Sequence, residues 1–432
     1  MQANLENLGQ LQRRLNLALP SQQIESEVES RLKRLARTVK VHGFRPGKVP
    51  IKIVAQQYGS QVRQEVLGDA LQKRFGEAVQ EQKLRVAGYP RFEAKTGESA
   101  QFEFSATFEV YPDVSVGDLT AQSIEKPVIK VSAQDVDKTI EILRKQRVQF
   151  QPVGRAAANG DQVTVDYNGK LEGMEFAGGQ AKNHTLVLGE GRVLKDFEVA
   201  IAGMRSGENK TFELAFPEDY HGKEMAGKTV SFTLLLNTVA EPLLPEIDAE
   251  FARSLGVADG SVEKMRNEVT GNLEREVAKR VQAKIKDQVM QALLDTTKMD
   301  VPKALVDVEA ERLMQQARDD LATRGMNKAD VPLPADIFAE QARRRVSLGL
   351  ILAELVRSHQ LIAKPEQVRA LVDQQAQSYE HPEQVVKWYY EQPQRLQEVE
   401  SIALEDNVVA WVLEHAKVTD KPVSFDELMG NA

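Results

Sequence analysis

Cysteine is absent from the 432 residues. Its absence removes disulfides, thiolate metal ligands and cysteine nucleophiles together, and suits a reducing compartment. Histidine is scarce: the six (His42, His184, His221, His359, His381 and His415) show no H-x-x-x-H or H-E-x-x-H spacing, so no metal cofactor is expected. No G-x-S-x-G occurs, and no other nucleophile with its base is signalled. No apolar run approaches the roughly 18 residues of a membrane span, and the N-terminal MQANLENLGQLQRRLNL lacks a basic segment leading into an apolar one. A cytoplasmic protein without a membrane partner is expected.

Hydrophobic residues make up 42% and charged residues 28%, an ordinary composition for a folded chain. The length exceeds the roughly 100–200 residues of one domain, so two to four cores are expected. A net charge of −8 argues against nucleic-acid coating by the whole molecule. Acid is nevertheless missing locally. Between Ser30 and Gln64 stand Arg31, Lys33, Arg34, Arg37, Lys40, Arg45, Lys48, Lys52 and Arg63, with no Asp or Glu, which places a cationic surface on an acidic protein.

Residues 1–112 carry α+β patterning. Leu15, Leu17 and Leu19 alternate, as do Phe102, Phe104, Ala106, Phe108 and Val110, predicting two half-buried strands. Between them Ile24, Val28, Leu32, Leu35 and Val39 recur at helical spacing, with Ser21 expected as N-cap. HGFRPGKVP (42–50) then demands an exposed loop, and helical pattern resumes over 51–81. Residues 113–149 predict a linker helix opened by a capping box at Ser132 and Asp135 and packing elsewhere. In 150–242 alternation and glycine dominate, with one helical stretch from Val193 to Ala202; an antiparallel sheet around a short helix is expected. From 243 to 432 the pattern is helical. Val269, Leu273, Val277, Val281, Ile285, Val289 and Leu293 step by four, which winds the stripe around a long helix and predicts different partners along it.

Gly222 through Thr229 satisfies G-x-x-x-x-G-K-T, the phosphate-binding loop. The alternating VSFTLLL follows it, where such a loop must open a helix, so neither a nucleotide nor any other cofactor is expected. What 150–242 does hold is aromatic and aliphatic. VDYNGKLEGMEF, LGEGRVLKDFEVAIAGMRSGE, FPEDYHG and VSFTLLL, in that order, resemble the FKBP family of peptidyl-prolyl isomerases. The resemblance implies that Tyr167, Phe176, Phe197, Tyr220 and Phe232 form the walls and floor of an X-Pro cleft, that Val193 and Leu194 form its rim, and that the Leu194 N–H donates to substrate. The chain departs from small single-domain members at Phe197, where they carry Trp, and at Ala177, where they carry an acid. Both departures bear on pocket shape and on affinity for macrolide inhibitors.

Phe44 stands among glycines and cations in the 42–50 loop, where an exposed aromatic suits docking and the cations suit phosphate oxygens. Gly43, Phe44, Arg45, Gly47, Lys48 and Pro50 resemble the ribosome-docking signature G-F-R-x-G-x-x-P of the trigger factor family, with Pro46 where a cation is common. The resemblance covers the whole chain. It implies a multidomain α+β architecture: a docking domain at 1–112, a linker at 113–149 packing with the helical body, an FKBP-type isomerase at 150–242, and an all-α substrate cradle at 243–432. It further implies a chaperone in protein folding and export, bound to the large ribosomal subunit (protein and ribosomal RNA) at the nascent-chain exit, with nascent and unfolded polypeptides as clients and a homodimer when free. A stand-alone isomerase with a helical dimerisation body, and a binder of free RNA, remain alternatives on the residues alone.

Overall fold

The computed structural model describes residues 4–42, 44, 47–94, 101–220, 225–324, 333–377, 379 and 381–430. In chain order the N-terminal part holds β1 (Asn4–Asn7), β2 (Gln12–Pro20), α1 (Ser21–Thr38), α2 (Ile51–Glu81), β3 (Val86–Ala94) and β4 (Gln101–Val110). Next come β5 (Ser123–Val128), α3 (Ala133–Gln146), β6 (Gln149–Pro152), β7 (Gln162–Leu171), β8 (Met174–Val187), α4 (Lys195–Ile201), β9 (Asn209–Ala215) and β10 (Thr229–Leu243). The remainder is α5 (Ala249–Ser254), α6 (Val262–Thr296), α7 (Lys303–Thr323), α8 (Ala339–His359), α9 (Pro365–Ala376), α10 (Pro382–Tyr390), α11 (Pro393–His415), β11 (Lys417–Pro422) and α12 (Phe425–Met429). The chain is thus α+β with a mainly helical C-terminal part. It forms two compact units, one of Met1–Pro127 and Ala283–Lys421, the other of Val128–Gln282 and Pro422–Ala432.

In the first unit the alternating leucines of β2 and aromatics of β4 face one side of an antiparallel sheet ordered β1-β2-β4-β3, with Leu15 opposite Ala106 and Leu17 opposite Phe104. Buried on that side are Ile24, Val28 and Leu32 of α1 and Val54, Val62 and Val66 of α2. Ser21 is not the N-cap expected for α1. Pro20, extended at φ −63°, takes that place and supplies no side-chain cap, while Ser21 is the first helical residue. A second core gathers Leu119, Ile124, Val289, Leu293, Ile351, Leu355, Val408 and Val412. The N-terminus of α7 abuts the sheet: the Ala304 N–H donates to Glu109 at 2.7 Å, and a Cβ at Gly88 (φ +79°) would fall 2.6 Å from that of Ala304. The break in β3–β4 register between Ala87 and Arg91 sits at this glycine, where backbone conformation and space both exclude a side chain.

In the second unit α3 opens on the expected capping box, with Ser132 Oγ accepting from the Asp135 N–H and Asp135 from the Ser132 N–H. Its Val136 and Ile140 pack with Phe251, Met265, Val269 and Leu273. The long helix α6 therefore contributes to different cores along its length, as its drifting stripe requires. The sheet runs β6-β10-β7-β8, with β9 also paired to β10, and α4 closes its core through Phe197 and Ile201.

Asp161 anchors the entry to β7. It is buried (1% exposed) and accepts from Arg155 at 2.6 and 2.8 Å and from the Ala158 N–H at 2.8 Å. The Arg155 hydrogen bonds, aided by that N–H, hold its carboxyl below the usual carboxylate range against the opposing push of burial. A folded-state value below the unfolded one of about 3.9 means that this contribution is complete above about pH 4 and is lost as pH falls through the depressed value. Asp161→Asn is expected to cost about 2 kcal/mol at pH 7, less than a fully buried pair because Arg155 is partly exposed, and to cost less near pH 3, below the unfolded value. Urea unfolding at the two pH values checks this; an equal loss at both would contradict it.

Candidate functional site

The elements of the second unit's sheet enclose a cleft of about 340 Å³. Tyr167 reaches it from β7, continuing the inward parity of the buried Val163 and Val165. Val193 and Leu194 reach it from the segment before α4, Phe197 from the first turn of α4, and Tyr220 from the segment after β9. Five of the seven residues singled out in the sequence thus line one cleft. Phe232 lies beneath them, 5% exposed, with its ring edge-on to Phe197 at 5.7 Å and to Tyr167 at 6.0 Å. Phe197 meets Tyr167 edge-on at 5.5 Å. Phe176 does not line the cleft; it buttresses Phe232 from 6.4 Å.

Register makes this stack. Phe232 of β10 lies opposite Gly169 of β7 and Phe212 of β9, and Phe212 stacks on it at 6.1 Å. Only glycine fits at 169, since a Cβ there would fall 2.6 Å from Phe232 Cε1 and 3.1 Å from a carbon of Phe176. Gly169→Ala is therefore expected to displace both rings, to cost about 2 kcal/mol by overpacking, and to reduce turnover of an X-Pro peptide; a thermal melt and an activity assay together check it. Leu194 occupies the N-cap of α4. Its carbonyl accepts from Phe197 and Glu198, while its own N–H has no acceptor among the described residues, as is usual for the first donors of a helix.

The structure adds His184, Arg192 and Leu214 to the lining and Phe212 to the floor. Phe212 and Leu214 alternate along β9, but their apposition to β10 is a matter of register, which one strand does not encode. His184 follows two irregularities in the β7–β8 register, so its face cannot be counted from the sequence. Among the described residues, no group of three His, Asp or Glu side chains is placed to hold a metal ion.

In the first unit, the segment between α1 and α2 carries the second group of residues. Gly43, Arg45 and Pro46 lie outside the described residues. Phe44 is 39% exposed, its N–H donating to the Val41 carbonyl. Gly47 adopts φ +80°, Lys48 is exposed, and Pro50 caps α2. The cations divide in two. Arg31 pairs with Asp69, Lys33 with Glu29, Arg34 with Glu27 and Arg63 with Glu25. Arg37, Lys40, Lys48 and Lys52 are exposed and, among the described residues, have no carboxylate within ion-pair distance. The unpaired charge thus lies at the loop end of the two helices.

Known proteins match the segments that hold both groups of residues. The family described as "Bacterial trigger factor protein (TF)" matches residues 1–143, its C-terminal counterpart matches 261–414, and "FKBP-type peptidyl-prolyl cis-trans isomerase" matches 154–237, the segment that holds the cleft. The chain is 62% identical to the trigger factor of Nitrosospira multiformis and 55% identical to that of Aromatoleum aromaticum, over the full length of each pair. It is 56% identical to the trigger factor of Dechloromonas aromatica, over 100% of this chain and 99% of that one. Matched from end to end at these identities, the chain belongs to the trigger factor family and carries an FKBP-type peptidyl-prolyl isomerase domain between its two trigger-factor segments.

Proposed function

We propose that the chain is a ribosome-associated chaperone that isomerises X-Pro bonds in the cleft at Phe197 and docks through the loop at Phe44. Isomerisation makes and breaks no covalent bond; its barrier of about 18–20 kcal/mol reflects lost amide resonance in the twisted state. A twisted amide is less polar than a planar one, so an apolar aromatic cleft favours it over the ground state. The proline ring rests on Phe197 above Phe232, Tyr167 and Tyr220 form the walls, Val193 and Leu194 the rim, and the uncommitted Leu194 N–H holds the carbonyl preceding proline. Phe176 acts through Phe232. The aromatic stack beneath an otherwise open cleft carries this half of the proposal. Magnetisation-transfer NMR on an Ala-Leu-Pro-Phe peptide tests it: accelerated exchange with the full chain is expected, and exchange at the uncatalysed rate would overturn it.

The four unpaired cations beside an exposed phenylalanine support the docking half. Like charges crowded at one end of a helix pair repel, and a polyanionic surface relieves them. Ribosomal RNA and protein at the nascent-chain exit meet that need, with Gly43, Phe44, Arg45, Gly47, Lys48 and Pro50 as the docking residues. The working division is 1–112 for docking, 113–149 as linker, 150–242 for isomerisation and 243–432 as a cradle for nascent and unfolded chains. Hand-over toward export, a cytoplasmic location and a homodimer off the ribosome complete the proposal.

A further inference from the structure

One lining group of the cleft has no task in the isomerisation described above. His184, on β8, stands beside Tyr167 with the two ring centroids 5.8 Å apart, edge to face. The imidazole is half-buried, and among the described residues neither ring nitrogen is hydrogen-bonded. The rest of the lining is apolar or phenolic apart from Arg192, which is 77% exposed and held by Glu190 at 2.8 Å. An imidazole offers hydrogen-bonding capacity at both nitrogens. Such capacity left unused in a partly desolvated wall costs free energy until a ligand meets it.

We propose that His184 is a specificity-determining residue of the cleft, selecting substrates whose residue immediately before proline bears a side-chain carbonyl or carboxylate: Asn, Gln, Asp or Glu. The proposal rests on the isomerase reading of the cleft. With the proline ring on the Phe197 floor and the preceding carbonyl at Leu194, the Tyr167 wall is left to the side chain of the preceding residue. A wall of hydrocarbon alone would rank such residues by apolar area and disfavour amides and acids. An imidazole there reverses part of that ranking, because a polar site discriminates more sharply than an apolar one.

The test uses the full chain and three tetrapeptides that differ only in carrying Leu, Gln or Glu before proline. The readout is the Gln/Leu and Glu/Leu ratio of kcat/KM. His184→Phe is expected to lower both ratios roughly three- to tenfold, read against its own turnover of the Leu peptide. His184→Gln, which keeps a donor and an acceptor, is expected to retain most of the Gln/Leu preference. Unchanged ratios in His184→Phe would overturn the proposal, and so would an equal loss on all three peptides, which marks a packing role. If the parent protein isomerises none of the three, the isomerase reading itself fails and the proposal falls with it; ratios unmoved in an active enzyme sink the proposal alone.

Discussion

Phe197→Ala is expected to lower kcat/KM for an X-Pro peptide on the order of 100-fold, a loss of about 2.7 kcal/mol of transition-state stabilisation. Phe197 is 6% exposed and touches three other aromatics: Tyr167 at 5.5 Å, Phe232 at 5.7 Å and Phe212 at 5.8 Å. Truncation removes the floor proposed for the proline ring and admits water, which solvates the planar amide better than the twisted one. It also leaves a cavity costing about 3–4 kcal/mol in stability, so activity must be read where circular dichroism shows the sheet intact. Phe197→Leu separates the two effects, since it fills most of the volume but loses the ring. A roughly tenfold drop in turnover with a stability loss near 1 kcal/mol is expected there. Full activity in the folded Ala variant would refute the floor.

The second large effect concerns the basic loop. Replacing Phe44, Arg45 and Lys48 together by Ala is expected to weaken ribosome affinity at least 100-fold, because it removes the exposed ring and two of the cations of the proposed docking loop. The control replaces Arg31, Lys33 and Arg34, removing three positive charges where the loop variant removes two. These three already pair with Asp69, Glu29 and Glu27, and a change under about threefold is expected. The slope of log affinity against log salt should fall in the loop variant and stay near its parent value in the control. Equal effects of the two triples would mean that net charge, and not the loop, governs binding.

Local pattern carried much of the fold into view. The alternation of Leu15, Leu17 and Leu19 against Phe102, Phe104 and Ala106 marks two strands because one face is buried, and those residues do stand opposite one another across β2 and β4. Helical spacing from Ile51 to Glu81 appears as one 31-residue helix, since no Pro interrupts it. Strand β11 was not visible: all six residues are exposed, so no alternation marks it, and it exists only through pairing with β5. Nor does anything near Ile124 announce that it shares a core with Val289, Ile351 and Val408, a consequence of long-range closure.

The cleft was legible for a related reason. Parity alone marks Tyr167 of β7 and Phe232 of β10 as inward-facing; their role as cleft residues, with Phe197 of α4, comes from the resemblance to the FKBP motifs, and the three rings do meet. The exceptions trace to register. Phe176 falls one layer behind, and His184 enters from a strand whose pairing slips twice.

Co-sedimentation of the intact protein with purified 70S ribosomes, at low and moderate salt and beside the Phe44, Arg45 and Lys48 triple Ala variant, tests the central claim most directly. The account predicts that the parent pellets in near-stoichiometric amount at low salt and less at moderate salt. The variant is predicted to stay in the supernatant with its fold and X-Pro turnover unchanged. A parent protein that fails to pellet at either salt, or a variant that pellets as the parent does, would contradict it.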